Sequence, residues 1–151
     1  MKKPFVSEDF KIPEGLKTDK FLLRMLTVND VEKDFDAVTT STEHLTGHFP
    51  GNNWPIGLTL EQNLIDLGWH QKEFQRRSSF AYTMMNPDET QCLGCVYIDP
   101  PEKDGYDATV YLWVRKSELD KGLDPILEKT VRDWVKNDWP FKNVQYPGRE
   151  K

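Results

Sequence analysis

The sequence predicts a mixed α/β domain, α+β in arrangement, with a mostly antiparallel sheet flanked by helices in the order β-α-α-β-β-β-α-β. Three observations carry this. Apolar residues recur at helical spacing in three separate segments. SFAYTMMN (79–86), QCLGCVYI (91–98) and DATVYLWV (107–114) are short apolar runs rich in β-branched and aromatic residues, split by the turn signals PDET and PPEKDGYD. A third helix then precedes a last short strand, and such a β-α-β step implies a parallel pair with a right-handed crossover.

In chain order, residues 1–20 lack periodicity and contain Pro4, Pro13 and Gly15, so they read as an arm laid over the surface. A single domain, 21–151, follows. FLLRML (21–26) is its first strand. Thr27 is an N-cap, and Val28, Val31, Phe35 and Val38 mark a helix over about 28–40. STEHLTGHFPGNNWPIG (41–57) is a long loop, and long loops in compact domains often carry function. Thr59 with Gln62 resembles a capping box for a second helix over about 60–77, with Leu60, Leu64, Leu67 and Phe74 on one face. After the three-strand meander, VRKSELDKGLDP (114–125) is a loop. Ile126 or Leu127, Val131 and Trp134 mark a third helix over about 125–137, and WPFKNVQY ends in a strand near 142–146.

Composition narrows the function. A chain of 151 residues suits one domain, and 37% hydrophobic residues suffice for a core. A formal net charge of −5 argues against a general nucleic-acid or anionic-membrane binder. There is no apolar run of about 18 residues and no apolar segment in MKKPFVSEDFKIPEG, so a cytoplasmic protein is expected. Cys92 and Cys95 form a CxxC inside a predicted strand. Residues i and i+3 of a strand face opposite ways, so the sulfurs are expected to diverge as two half-buried thiols. With no second cysteine pair, and with His44 and His48 lacking a third ligand at useful spacing, no metal site is expected. No nucleophile elbow supports a hydrolase.

Four stretches resemble the GNAT superfamily of acyl-CoA-dependent N-acyltransferases. FLLRMLTVNDVEKDFDAV is similar to the family's opening strand and helix. QCLGCVYI is similar to its third strand, with a mid-strand Gly, and TVYLWV to its fourth. KGLDPILEKTVRDWV is similar to the helix after its pyrophosphate loop. The resemblance covers roughly residues 21–146, and the sequence stops where the family continues, which implies a C-terminally short version.

The resemblance implies an acetyl-CoA site in a V between the family's fourth and fifth strands. Backbone groups of Leu112, Trp113 and Val114 would pair with the pantetheine arm. The loop pattern Q/R-x-x-G-x-G/A falls on Leu119, Asp120, Lys121, Gly122, Leu123 and Asp124, and its amides would hold the pyrophosphate. Only Gly122 matches the pattern's defining positions. Asp124 before Pro125 also reads as a helix N-cap, whose carboxylate would take those amides and repel an anion. The implied reaction is direct attack of an amine on the thioester, and the implied acceptor is a small-molecule or peptide amine. Asp107 is the candidate base and Tyr146 the candidate acid. His48, Phe49 and Trp54 are the candidate acceptor-binding residues. The alternative is a domain of the same shape that has lost its cofactor and serves as a binding or assembly module. In either case the last strand is an exposed edge that a homodimer would cover.

Overall fold

A computed structural model describes residues 4–49 and 52–150. Pro50 and Gly51 of the predicted loop, the first three residues of the predicted arm and Lys151 of the predicted domain lie outside them. In chain order the elements are β1 (Gly15–Lys17), β2 (Leu22–Met25), α1 (Val31–Thr39), α2 (Thr42–Leu45), α3 (Leu60–Gln75), β3 (Phe80–Met85), β4 (Cys92–Asp99), β5 (Ala108–Val114), α4 (Lys116–Leu119), α5 (Leu123–Asp138) and β6 (Val144–Gln145). The predicted elements are all present. β1, α2 and α4 are additions, and α4 lies inside the stretch expected to be a loop.

The strands form one sheet in sequence order. Every pairing is antiparallel except β5–β6, which is parallel. Alternation along the strands divides the side chains between two faces. Phe80, Tyr82, Val96, Ile98, Val110 and Leu112 meet Leu127, Val131, Trp134 and Val135 of α5. Ala81, Tyr97, Tyr111 and Trp113 meet Val38 of α1, Leu45 of α2 and Leu67 of α3.

Local chemistry explains the helix starts. Thr27 Oγ1 accepts the Asn29 amide at 3.3 Å, and Asp30 reaches back to the Thr27 amide at 2.9 Å, closing a 3-10 turn at Val28–Asp30 before α1. Arg24 grips the same Asp30 carboxylate through both terminal nitrogens, at 3.1 and 2.8 Å. Thr59 caps α3 by accepting from the Gln62 amide, but the Gln62 side chain turns to Asp66 instead of completing a box.

The structure corrects three expectations. First, α3 seats on the sheet through Asn63, Leu67, His70 and Phe74, so only Leu67 and Phe74 of the predicted face point inward. Leu60 and Leu64 are exposed, together with Ile65 and Trp69. The inward stripe is rotated because Asn63 donates to the buried Asp34 carboxylate at 3.0 Å, which fixes which side of the helix faces in.

Second, Cys92 and Cys95 lie on the same face and both are fully buried. The β3–β4 register slips between Met84 and Met85, which pair with Gly94 and Cys92, so Leu93 is an extra residue. That bulge inverts the alternation for everything before it.

Third, residues 4–20 are not merely a surface arm. Val6 is buried, Phe5 stacks on Phe141 at 5.1 Å, and the Tyr82 hydroxyl donates to the Pro13 carbonyl at 2.6 Å. Arg77 holds the carbonyls of Ser7 and Phe10.

Gly94 shows why the third meander residue set needs a glycine. A Cβ there would stand 2.1 Å from the Trp113 carbonyl oxygen, which is backbone and cannot swing away. Gly94→Ala is expected to destabilise the fold by about 3 kcal/mol through forced separation of β4 from β5, read as a lowered midpoint in denaturant unfolding.

Candidate functional site

The sheet opens between β5 and β6. Their pairing consists of Ala108 with Val144 and Thr109 with Gln145, and then stops. Asp107 pins the closed end: its carboxylate accepts the amides of Lys142 (2.8 Å) and Asn143 (2.9 Å), and its own amide donates to the Asn143 carbonyl. The side chain proposed as a base is thus engaged in holding β6 in place.

Past Thr109 the free edge of β5 faces a guanidinium. Arg149 donates to the Leu112 carbonyl at 3.2 Å. The same side chain makes a two-pronged pair with Asp124, at 2.7 and 2.9 Å, and a third bond to Glu128 at 2.9 Å. Arg132 bonds Glu128 and the Arg149 carbonyl, and lies 4.0 Å over the Tyr146 ring. The Arg149 pKa is raised, chiefly by its bond to Asp124. Burial alone would raise the Glu128 carboxyl, but Arg149 and Arg132 together hold it below its ordinary value. Burial pushes the Tyr146 phenol up to about 12. Tyr146 therefore sits beside the V, its face taken up by Arg132.

The predicted phosphate loop is mostly helix and turn. The amides of Lys121 and Gly122 already donate to the carbonyls of Glu118 and Leu119, and Leu119, Asp120 and Lys121 are exposed. Gly122, at φ +79, is the cap of α5, and nothing lies within 4 Å of where its Cβ would be. Asp124 is not the N-cap that the sequence suggests. It lies in the first turn and makes no capping bond, because Arg149 takes its carboxylate. The amides of Leu123 and Asp124 open the helix, while Pro125 has none to offer. Trp113 and Val114 are core side chains, with Trp113 Nε1 donating to the Tyr97 hydroxyl, so they present only backbone to the V.

Sequence reasoning missed two arginines. Arg149 sits in a closing PGREK with no local signal. Arg115 falls at the start of the stretch expected to be a loop, yet it is buried and ties the end of β5 to Asp36, Thr40 and the Cys92 carbonyl.

On the opposite face, Phe49 packs edge-on against Trp54 (5.3 Å), Tyr97 (5.4 Å) and Tyr111 (5.0 Å), which pins the long loop to the sheet. His48 touches Phe49 and Tyr111. Burial, then the Arg149 charge, pushes its pKa down to about 4, and its Nε2 is buried with no partner among the described residues. Phe49 and Trp54 line a cavity of about 370 Å³ between α1, α3 and β4. Asp34, Asp66, Asp99, Trp69, His70 and Tyr97 share its walls. Among the described residues, no group of three or more His, Cys, Asp or Glu could hold a metal ion, and no helix is long and apolar enough to cross a membrane.

No protein-family model and no curated protein sequence matches the chain. Solved structures do. The ribosomal-protein-S5-alanine acetyltransferase of Vibrio fischeri superposes with a TM-score of 0.70 and 14% identity over 90% of this chain and 76% of that one. RimJ of Mycobacterium smegmatis, in complex with CoA-disulfide, gives 0.67 and 13% over 85% and 64%. A Bordetella pertussis protein described as a GnaT-family acetyltransferase gives 0.57 and 16% over 80% and 74%.

The chain has the GNAT fold. In GNAT terms β5 and β6 are the splaying fourth and fifth strands, since β1 adds one strand ahead of the family's first. Identities this low speak for the fold. The chemistry has to come from the chain's own residues.

One of those residues makes a pH prediction. Asp34 is 4% exposed, and burial, opposed by Asn63 and aided by Asp30 and Asp66, lifts its pKa to about 6. A raised carboxyl favours the folded state below its ordinary pKa and loses that advantage as pH rises through 6. The loss amounts to about 3 kcal/mol by pH 7.5. Asp34→Asn is expected to raise the melting temperature at pH 7.5 and not at pH 3.5, by thermal unfolding at the two pH values.

Proposed function

We propose that the chain transfers an acyl group, acetyl first, from an acyl-CoA to an amine. The observation that carries this is the half of β5 that β6 leaves without a strand partner, where Arg149 holds the Leu112 carbonyl and also Asp124 at the start of α5. The names of its structural neighbours support the same activity, since one is an acetyltransferase of a ribosomal protein and another contains a CoA species.

The residues present fit such a cofactor once Arg149 moves. The β5 edge at Leu112–Val114 would take the pantetheine amides, and the Leu123 and Asp124 amides with Lys121 would face the pyrophosphate. A bound acyl-CoA supplies the thioester. What the chain supplies is a dry edge, a positive helix start and charge control. Asp124 alone would repel a phosphate, but a guanidinium has five N–H donors. Arg149 can release Leu112 and still keep Asp124 neutralised.

Asp107 and Tyr146 were the expected base and acid, and both are tied into structure at the V. Asp99 is better tuned for proton removal. Burial, then the charge of Glu102, lifts it to about 7, near a working pH. It pairs across the sheet with Thr109, where the V begins. We assign the base role to Asp99, with Phe49 and Trp54 on the acceptor side.

A homodimer that pairs β6 with its own copy belongs to the same proposal, since it would cover an outer strand. Sedimentation at rising concentration checks it, and a constant monomer rules it out. A reducing cytoplasmic setting would keep Cys92 and Cys95 as the free thiols seen here.

If Arg149 fills the V most of the time, apparent cofactor affinity is reduced by the open fraction. The double variant Arg149→Ala, Asp124→Asn removes both the plug and the unpaired charge it would leave. It is expected to bind acetyl-CoA about tenfold or more tightly than the parent chain in calorimetry. Absence of binding by both proteins at millimolar acetyl-CoA would sink the acyltransferase reading and favour the cofactor-free module.

A further inference from the structure

The cavity between α1, α3 and β4 has a chemical character that acyl transfer alone does not explain. Its volume of about 370 Å³ lies in the range of small-molecule sites. No lysine or arginine is among the described residues lining it, yet three carboxylates are, one from each of three elements. Asp34 is the telling one. It is 4% exposed, and its Oδ2 accepts from Asn63 Nδ2, while no cation among the described residues forms an ion pair with it. Arg24, the nearest arginine in sequence, is taken by Asp30 and Glu89. Buried carboxylates ordinarily have a paired charge, and this one lines the cavity.

The carboxylates form two poles. Asp66 lies three residues along α3 from Asn63, the donor to Asp34, so those two share one end. Asp99 is the last residue of β4, two residues past Tyr97, and marks another end. His70 brings no positive charge at neutral pH, because burial lowers its pKa. Between the poles stand aromatic faces. Trp54 and Tyr97 are part of the wall, and Trp69 is 59% exposed at α3, a large apolar side chain that the fold itself leaves uncovered. Aromatic faces and carboxylates both attract organic cations.

We propose that this cavity binds a small aliphatic diamine as its dication, with Asp34 and Asp66 taking one ammonium, Asp99 the other, and Trp54, Trp69 and Tyr97 enclosing the methylene chain. The diamine's role as acceptor rests on the acyltransferase reading: the ammonium at Asp99 would lose one proton to that carboxylate, the amine nitrogen would bond to the thioester carbonyl carbon as the C–S bond breaks, and the second N–H proton would leave on the CoA thiolate as free thiol. Its binding does not rest on that reading.

Calorimetry on the whole chain at pH 7.5 with diaminobutane, and with butanediol as the uncharged chain of the same length, tests it. Diaminobutane is expected to bind and butanediol not. Asp34→Asn and Asp99→Asn, each confirmed folded by circular dichroism, are expected to weaken diaminobutane about tenfold or more. Asp133→Asn, a surface carboxylate paired with Lys129 on α5, is expected to leave it unchanged. Absence of diaminobutane binding overturns the site, as does equal binding of butanediol, or an equal loss in the Asp133 variant. Adding acetyl-CoA then separates the two claims. Bound diamine that is never acetylated leaves the site standing and overturns the acyltransferase reading.

Discussion

Past Thr109, β5 has a neighbour on one side only. Backbone carbonyls and amides on its free edge must find partners or face water, because a buried unpaired group is costly. Arg149 answers that demand at Leu112, and much else follows from its doing so. The guanidinium draws in Asp124 and Glu128, Glu128 draws in Arg132, and Arg132 covers Tyr146. A half-buried, two-pronged arginine–carboxylate pair is stronger and more directional than an exposed ion pair. The open edge proposed for a pantetheine arm is thus also the edge that Arg149 satisfies.

The two faces of the sheet do different work. The α5 face is a continuous apolar core of large side chains, with Tyr82, Trp134 and Trp139 packed edge to face. The opposite face mixes aromatics with Asp34, Asn63, Thr83 and two thiols. Burial raises the pKa of Cys92 to about 12, so these thiols are inert packing groups rather than nucleophiles. Buried carboxylate, amide and hydroxyl side chains gathered on this face are what one expects where stability has been given up locally for a site.

The strands, the helices and the core roles of Trp113 and Trp134 were legible because they depend on local composition and spacing. The misreadings share a different cause. Cys92 and Cys95 were assigned opposite faces because a bulge at Leu93 is set by the register with β3, not by the strand itself. The α3 face was misjudged because Asn63 turns inward to meet a carboxylate 29 residues away. Asp34 itself sits in DVEKDFDAV, which reads as a solvated helix face. Asp124 before Pro125 has the form of a cap, and only a distant arginine decides otherwise. The length of the loop after β5 and its Gly122 did locate the V. What fills it depended on contacts between distant parts of the chain.

The arm has a consequence for how the molecule is made. Phe5 stacks on Phe141 and Phe10 on Trp139, so the first described residues rest on nearly the last. During synthesis β3, β4 and β5 can pair as soon as they emerge, but the face that awaits α5 stays uncovered. Phe80 and Tyr82 wait there for Trp139 as well. Contacts this distant in sequence close late, and exposed apolar sheet is prone to aggregate meanwhile. On the ribosome the chain must therefore carry an open greasy face until α5 and Trp139 emerge to cover it.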